Sequence, residues 1–159
     1  MEPRIEYAKV APGAVQAMQA LEGYIRQSGL EPDIFELVRV RASQINGCAF
    51  CIDMHTKEAR AAGESEQRLY ALDAWRETPF FSEREQAALE WTEAVTRVSE
   101  RHVPDEVYER AREQFTEKEL VELTMAVVAT NGWNRLAIST RAVPGSYQPR
   151  REHSGVPGV

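Results

Sequence analysis

Apolar residues recur at intervals of three and four along most of this 159-residue chain, as they do on the buried face of a helix. The first such stretch predicts a helix from about Pro12 to Gln27, and the last, about Glu117 to Thr140, is the most apolar. In the first stretch the apolar positions are Val15, Met18, Leu21 and Ile25. No strand-like alternation of useful length is visible. The pattern therefore predicts an all-α protein, a compact helical bundle of about six to seven helices.

Turn-forming and capping residues divide the chain into these helices. Pro32-Asp33 is expected to open the second helix, with Asp33 as its N-cap. Asn46-Gly47 should end it, because both residues tolerate the left-handed backbone conformation. A third helix then begins near Cys48 and runs to Ala62. Starts for the later helices are predicted at Ser65, Ser82, Asp105 and Thr116.

Near its end the chain changes composition. Residues 1–143 are predicted to form one domain, and residues 144–159 a tail rich in proline and glycine. Such a tail cannot be a regular helix, so it is either disordered or an arm laid on a neighbouring subunit.

The net charge of −6 argues against a nucleic-acid partner, because such partners favour a basic surface. No segment approaches the roughly 20 apolar residues that span a bilayer, and the first residues contain no apolar run typical of a signal peptide. We therefore expect a cytoplasmic protein without a membrane partner.

The sequence contains two cysteines, Cys48 and Cys51, only three residues apart. A disulfide between them would close almost no loop and could add little stability through chain entropy. A close pair of this kind in a reducing compartment is typical of redox or metal chemistry. His55 follows Cys51 by four residues, so a helix would place all three side chains on one face.

The residues alone leave three interpretations of this cluster open. A redox pair is favoured because the free N–H groups at a helix start stabilise a thiolate and His55 can accept the proton of Cys51. Alternatively, Cys48, Cys51, His55 and Glu36 could surround a zinc ion in a structural protein. The cysteines could also be small buried hydrophobic residues. Glu36 by itself is best explained as a capping-box glutamate, three residues after Asp33.

The order of Glu36, Cys48-x-x-Cys51 and His55, followed by Ala59 and Gly63, resembles the alkyl hydroperoxidase D-like branch of the carboxymuconolactone decarboxylase superfamily. The segments 43–48 and 131–136 look like that family too, and the resemblance covers about residues 10–144. Trp133, Asn134 and Arg135, in the second of these segments, are best explained by packing in the last helix rather than by a pocket.

The resemblance implies a thiol-dependent peroxidase that reduces organic hydroperoxides. Cys51 would be the peroxidatic cysteine, and Cys48 would resolve its sulfenic acid into a disulfide. His55 would work with Glu36 as a proton relay. The family also implies a homo-oligomer, a trimer or a hexamer, that needs no organic cofactor and no metal. A dithiol protein or a small thiol would return the disulfide to its reduced form.

Phe50 departs from the family pattern, because the best-characterised members have a histidine inside the motif. This departure favours, as an alternative, a disulfide oxidoreductase with weak peroxidase activity. Lactone decarboxylation is disfavoured, since the branch named for it generally lacks the cysteine pair. A scaffold with vestigial cysteines is the remaining alternative.

Overall fold

The computed structural model describes residues 1–149 and confirms the all-α prediction over that range. It contains nine α-helices and, within the described residues, no strand. The helices are α1 (Tyr7–Val10), α2 (Pro12–Gln27), α3 (Pro32–Asn46), α4 (Ala49–Ala61), α5 (Glu66–Ala71), α6 (Glu83–Thr96), α7 (Val98–Arg101), α8 (Asp105–Gln114) and α9 (Glu117–Thr140).

The predicted number of helices, six to seven, is too low. Two of the additional helices, α1 and α7, have four residues each. A single turn is too short for a helical period to be visible, so the sequence gives no signal for them. The predicted fourth helix ends early at Ala71 and continues as a 3₁₀ segment, Leu72–Glu77, in which Ala74 leaves the helical backbone region.

The helix α3 runs through the middle of the bundle and packs against α4, α6 and α9. Its residues from Leu37 to Ser43 are all buried, so apolar side chains face neighbours on every side. One core lies between α3 and the helices α2, α6, α8 and α9. A second lies between α3 and the segment that includes α5 and the 3₁₀ turn. Burying each large apolar side chain contributes about 1.5–3 kcal/mol, so these contacts fix α3 and, with it, the start of α4.

The start of α3 corrects one prediction. Asp33 is not the N-cap, because Glu31 occupies that position and makes no capping bond with its side chain. Pro32 is instead the first helical residue, where its missing N–H costs nothing and its fixed φ suits the helix. Asp33 lies in the first turn. Because Asp33 is not the N-cap, Glu36 is not a capping-box glutamate.

The turn between α3 and α4 follows the prediction. Gly47 has φ +66° and ends α3 in the left-handed conformation. The backbone N–H of Cys48 bonds to the Ser43 carbonyl at 3.0 Å, which closes the last turn of α3. Cys48 is then the N-cap of α4, so the next helix begins without an intervening loop. This tight connection sets where both cysteines lie.

Three other helix starts are confirmed. Ser65 caps α5, and capping boxes formed by Ser82 with Glu85 and by Thr116 with Glu119 open α6 and α9. No helix among residues 1–149 is long and apolar enough to cross a membrane.

After α9 the chain turns back over α4. Arg141, with φ +58°, ends α9, and the N–H of Gly145 then bonds to Asp53 at 3.0 Å. Lys57 donates to the Tyr147 carbonyl at 3.1 Å. The first residues of the predicted tail, through Pro149, therefore lie against α4 of the same chain. Residues 150–159 are outside the described residues.

Candidate active site

Both cysteines lie at the start of α4 and are free and buried, each about 1% exposed. They pack against Ala137 of α9, and Phe50 and Ala142 partly cover them. An open cavity of about 480 Å³ elsewhere, lined by residues such as Arg76, Glu93 and Arg97, does not include them. Apolar side chains therefore cover the pair, and neither cysteine lines that cavity.

The two thiols interact directly, and this makes them unequal. The neighbouring Cys51 thiol lowers the pKa of Cys48 against its burial, and the backbone N–H groups of Cys51 and Phe50 act in the same direction. The neighbouring Cys48, its charge and burial raise the pKa of Cys51. In the reduced protein, Cys48 therefore loses its proton before Cys51 does.

A buried asparagine, Asn134 of α9, lies beside this pair and binds the last turn of α3. Its Nδ2 donates to Ser43 Oγ at 3.1 Å, and its Oδ1 accepts from Asn46 Nδ2 at 2.8 Å. The Asn134 amide also lowers the pKa of Cys51, although less than Cys48 raises it. Sequence reasoning assigned Asn134 to packing and so missed its place beside the cysteines. The available signal was a pair of amides, Asn131 and Asn134, three residues apart in the last helix.

His55 lies one helical turn after Cys51 and is about 1% exposed. Its Nδ1 is 3.1 Å from Oε2 of Glu58, whereas its Nε2 is buried and has no hydrogen-bond partner among the described residues. Burial lowers the pKa of His55 to about 4 against the opposing hydrogen bond to Glu58. The imidazole is therefore neutral at pH 7 and can accept a proton.

Glu58 is the most heavily bonded carboxylate near the cysteines. Burial works to raise its pKa, but the hydrogen bond with His55, the charge of Arg39 and the Tyr147 hydroxyl outweigh burial and lower the pKa to about 2. Arg39 Nη2 is 2.7 Å from Oε2, and the Tyr147 hydroxyl is 2.5 Å from Oε1. The carboxylate is ionised at any pH at which the protein would work.

Glu36 does not contact His55 directly; the carboxylate bonded to His55 is that of Glu58. It binds Arg39 Nη1 at 2.8 Å, and Arg39 in turn binds Glu58, the partner of His55. Burial raises the pKa of Glu36 despite the charge of Arg39. The structure therefore places Cys48 and Cys51 together, with His55 one turn further along α4, and links Glu36 to His55 only through two intervening side chains. Sequence reasoning missed Glu58, whose signal was its i+3 spacing from His55.

A tyrosine from the N-terminal segment also faces the pair. Burial raises the pKa of Tyr7, and the charges of Cys51 and Cys48 raise it further, which places its hydroxyl within electrostatic reach of both sulfurs. A bond of 2.8 Å from the Arg4 N–H to the Thr140 carbonyl holds this segment against the end of α9. Tyr7 thus stays protonated near the cysteines.

The geometry disfavours the zinc interpretation. Among residues 1–149 no group of three or more histidine, cysteine or acidic side chains is arranged to hold a metal ion. Glu36 is engaged with Arg39, and His55 Nδ1 is engaged with Glu58.

Comparison with known proteins identifies the family of this chain. Residues 12–94 match the model of the carboxymuconolactone decarboxylase family. The uncharacterised protein YdfG of Bacillus subtilis (strain 168) is 45% identical over 139 residues, which cover 87% of this chain and 95% of that protein.

Solved structures agree with this result. A protein of unknown function from Agrobacterium tumefaciens, proposed to be the antioxidant defence protein AhpD, superposes with a TM-score of 0.89 at 45% identity, covering 92% of this chain and 100% of that one. The debrominase Bmp8 has a TM-score of 0.76 at 18% identity, covering 85% and 73%, and shows the shared fold alone. The chain belongs to the carboxymuconolactone decarboxylase family, in its alkyl hydroperoxidase D-like branch.

Proposed function

We propose that this protein is a thiol-dependent peroxidase that reduces organic hydroperoxides through Cys48 and Cys51. The observation that carries the proposal is the packing together of two free, buried cysteines at the start of α4, one turn before a neutral, buried histidine. The pair can alternate between dithiol and disulfide with little backbone movement, because a helical i, i+3 spacing is compatible with disulfide geometry.

The reaction takes two steps on the enzyme. The Cys51 thiolate attacks the terminal oxygen of the hydroperoxide, the O–O bond breaks, and Cys51 becomes a sulfenic acid while an alkoxide leaves and is protonated to the alcohol. The Cys48 thiolate then attacks the sulfenic sulfur, which forms the disulfide and releases water once the departing hydroxide is protonated. A dithiol protein or a small thiol reduces the disulfide and is itself oxidised.

Proton transfer through His55 contributes more to the rate than the acidity of the attacking thiol does. Even a thiol whose pKa falls from about 8.5 to about 6.5 gains only roughly 25-fold in thiolate at pH 7 and loses roughly 6- to 10-fold of that gain in nucleophilicity. Cys51, whose pKa is raised, does not have this gain. Delivering a proton to the alkoxide contributes about 10²- to 10⁴-fold. His55 accepts the proton of Cys51 and returns it to the leaving group.

The attacking sulfur is assigned to Cys51 because His55 lies one turn after it and Asn134 favours its thiolate. The resting charge, in contrast, favours Cys48. For Cys51 to attack, its proton moves either to His55 or to the Cys48 thiolate. Replacing each cysteine separately distinguishes this order from attack by Cys48, as described in the Discussion.

Glu36 acts in this mechanism through its charge on Arg39. The guanidinium of Arg39 stands between Glu36 and Glu58, and an arginine does not give up its proton at physiological pH. Glu36 therefore stabilises Arg39 and affects His55 electrostatically rather than passing it a proton directly.

A second candidate function is a disulfide oxidoreductase, and Phe50 is the observation that favours it. Its apolar ring packs against the cysteines where the best-characterised members have a histidine. A departing thiolate, with a parent pKa of about 8.5, needs less help from an acid than a far more basic alkoxide. Losing one acid therefore costs disulfide reduction less than peroxide reduction.

The proposal includes a homo-oligomer, a trimer or a hexamer. It is supported by apolar side chains on α9 that the single chain leaves exposed, Val121, Val128 and Ile138.

The test is the intact mass of the reduced protein before and after one equivalent of cumene hydroperoxide without oxygen. We expect a loss of about 2 Da, reversed by dithiothreitol, as a new disulfide requires. The control is the double variant Cys48→Ser/Cys51→Ser, whose mass should not change. An unchanged wild-type mass, with both thiols still open to alkylation after unfolding, would disprove the peroxidase.

A further inference from the structure

We propose that Glu58 is the positioning residue of this site: it binds Nδ1 of His55 and so leaves Nε2 as the atom that accepts a proton. The inference deepens the proposed function and rests on it for its meaning, but its geometry stands independently. Sequence resemblance assigned the partner of His55 to Glu36, whereas the contact in the structure is made by Glu58.

The tautomer follows from which atoms can donate. A neutral imidazole carries one N–H, and an ionised carboxylate can only accept a hydrogen bond. Since Nδ1 is 3.1 Å from Oε2 of Glu58, the proton of His55 must lie on Nδ1. Nε2 then keeps its lone pair, and it is buried without a hydrogen-bond partner among residues 1–149. A base with this arrangement is ready to accept a proton.

The carboxylate of Glu58 is held from three parts of the fold. His55 belongs to the same helix, Arg39 reaches Oε2 from α3 at 2.7 Å, and Tyr147 reaches Oε1 from the C-terminal segment at 2.5 Å. A glutamate on a helix surface ordinarily samples several rotamers, and fixing one costs side-chain entropy. Here the two added donors fix the rotamer, so the imidazole is bonded to an immobile acceptor.

The charges around His55 explain why the role is orientation rather than ionisation. Burial has the largest effect on the ring and lowers its pKa, and the cations Arg39 and Arg26 act in the same direction, whereas the anion Glu58 opposes them. Burial and the two cations outweigh Glu58, so the ring is neutral. The hydrogen bond that Glu58 accepts therefore selects one tautomer of a neutral base, as the buried carboxylates of hydrolase triads do for their histidines.

The experiment is a two-dimensional ¹⁵N spectrum of the reduced, ¹⁵N-histidine-labelled full chain at pH 7.5, with the His55 signals assigned by comparison with His55→Asn. We expect the protonated-nitrogen signature at Nδ1 and the unprotonated one at Nε2. Arg39 and His55 both contact the Oε2 position of Glu58, so a glutamine oxygen there could still hold the proton on Nδ1. Glu58→Leu removes both acceptor oxygens, and its spectrum should show the Nε2–H form or a mixture. Glu58→Asp keeps a carboxylate and should retain Nδ1–H.

The rate of the first oxidation supplies a second measurement. Residues that orient metal-bound histidines contribute about 10- to 100-fold to activity. Taking that range for this metal-free histidine, we expect a similar decrease in the second-order rate with cumene hydroperoxide for Glu58→Leu and partial recovery for Glu58→Asp. The matched control is Glu66→Leu, which removes an exposed glutamate bonded to Arg60 and should match the wild type in both measurements.

The outcomes separate the two proposals. Nε2–H in the wild type, or an unchanged spectrum in Glu58→Leu, would overturn the role of Glu58, and the wild-type result is decisive even if the variant fails to fold. A wild-type protein that shows Nδ1–H but is not oxidised by hydroperoxide would leave the role of Glu58 intact and disprove the peroxidase.

Discussion

The side-chain Nδ2 of Asn134 lies 3.1 Å from Oγ of Ser43, and this contact joins the last helix to the turn that carries the cysteines. Both side chains are fully buried. The same asparagine also accepts from Asn46 at 2.8 Å, so one amide binds two residues in the last turn of α3.

Replacing Asn134 by alanine should destabilise the protein and slow Cys51. The change leaves the buried Ser43 hydroxyl without its partner, which costs about 1–3 kcal/mol, whereas the half-buried Asn46 amide keeps its bond to Asn131. Urea denaturation should detect a loss of about 1–3 kcal/mol. Ser139→Ala, an exposed change on the same helix, is the control and should alter stability by less than about 0.5 kcal/mol. An equally small loss for Asn134→Ala would show that this network carries no stability.

The two cysteines should respond differently to replacement. Cys51→Ser should abolish reaction with hydroperoxide, while Cys48→Ser should still consume one equivalent and stop at a sulfenic acid that dimedone traps. The reason is that only the attacking sulfur needs an intact thiol in the first step. Intact mass after dimedone treatment measures the outcome. The reverse pattern would assign the attack to Cys48, where the resting charge lies.

Glu36→Gln should slow the first oxidation less than Glu58→Leu does. Glu36 is separated from His55 by Arg39 and Glu58, so its removal changes a charge at a distance and leaves the imidazole contact in place. Stopped-flow rates with cumene hydroperoxide at pH 7.5 would compare the two variants. A larger effect at Glu36 would mean that it acts on the cysteines by a direct route.

His55 should make the protein sensitive to acid. Burial lowers its pKa from 6.5 to about 4, so between these values the unfolded chain binds a proton that the folded chain does not. The stability is complete above pH 6.5, and the free energy of unfolding should fall as the pH drops toward 4, by on the order of 3 kcal/mol. Glu58, with its pKa lowered to about 2, adds a further loss below pH 4.5.

Urea denaturation at pH 7, 6, 5 and 4 measures this slope. His55→Asn should flatten it between pH 6.5 and 4, and His102→Asn, at an exposed histidine, should keep it. Equal slopes in all three proteins would contradict the burial argument.

Phe50→His should shift the balance of reactions toward peroxides. The new imidazole lies beside the cysteines and can supply a proton to the alkoxide, an effect worth about 10²- to 10⁴-fold where the acid is well placed. We expect the ratio of hydroperoxide to disulfide reaction rates to rise about 10-fold or more. Phe50→Leu keeps the apolar cover and should leave the ratio unchanged. A similar ratio in both variants would make the identity of residue 50 irrelevant to substrate choice.

The helix boundaries that depend on local signals were predictable. The capping boxes at Ser82 and Thr116 are encoded within four residues, and Gly47 ends α3 through its own backbone freedom. The start of α3 was predicted wrongly because Pro32 and Asp33 both resemble helix starts, and the proline took the earlier position.

The site was predictable only along α4. The spacing of Cys48, Cys51 and His55 on one helix is visible in the sequence. The partners of the carboxylate, in contrast, come from distant segments: Tyr147 lies 89 residues after Glu58 and reaches it only in the folded chain. Burial, which makes His55 neutral, is likewise a property of the packed bundle rather than of its own sequence neighbours.

The start of α4 also bears on the midpoint potential of the cysteine pair. The backbone N–H groups that favour a charge on Cys48 can do so only while that sulfur is a thiolate, since a disulfide sulfur carries no charge. They therefore stabilise the reduced protein relative to the oxidised one, and each tenfold shift in that equilibrium raises the potential by about 30 mV. The geometry that prepares Cys48 for attack thus makes the resulting disulfide a stronger oxidant, which ordinary cellular thiols can reduce more readily.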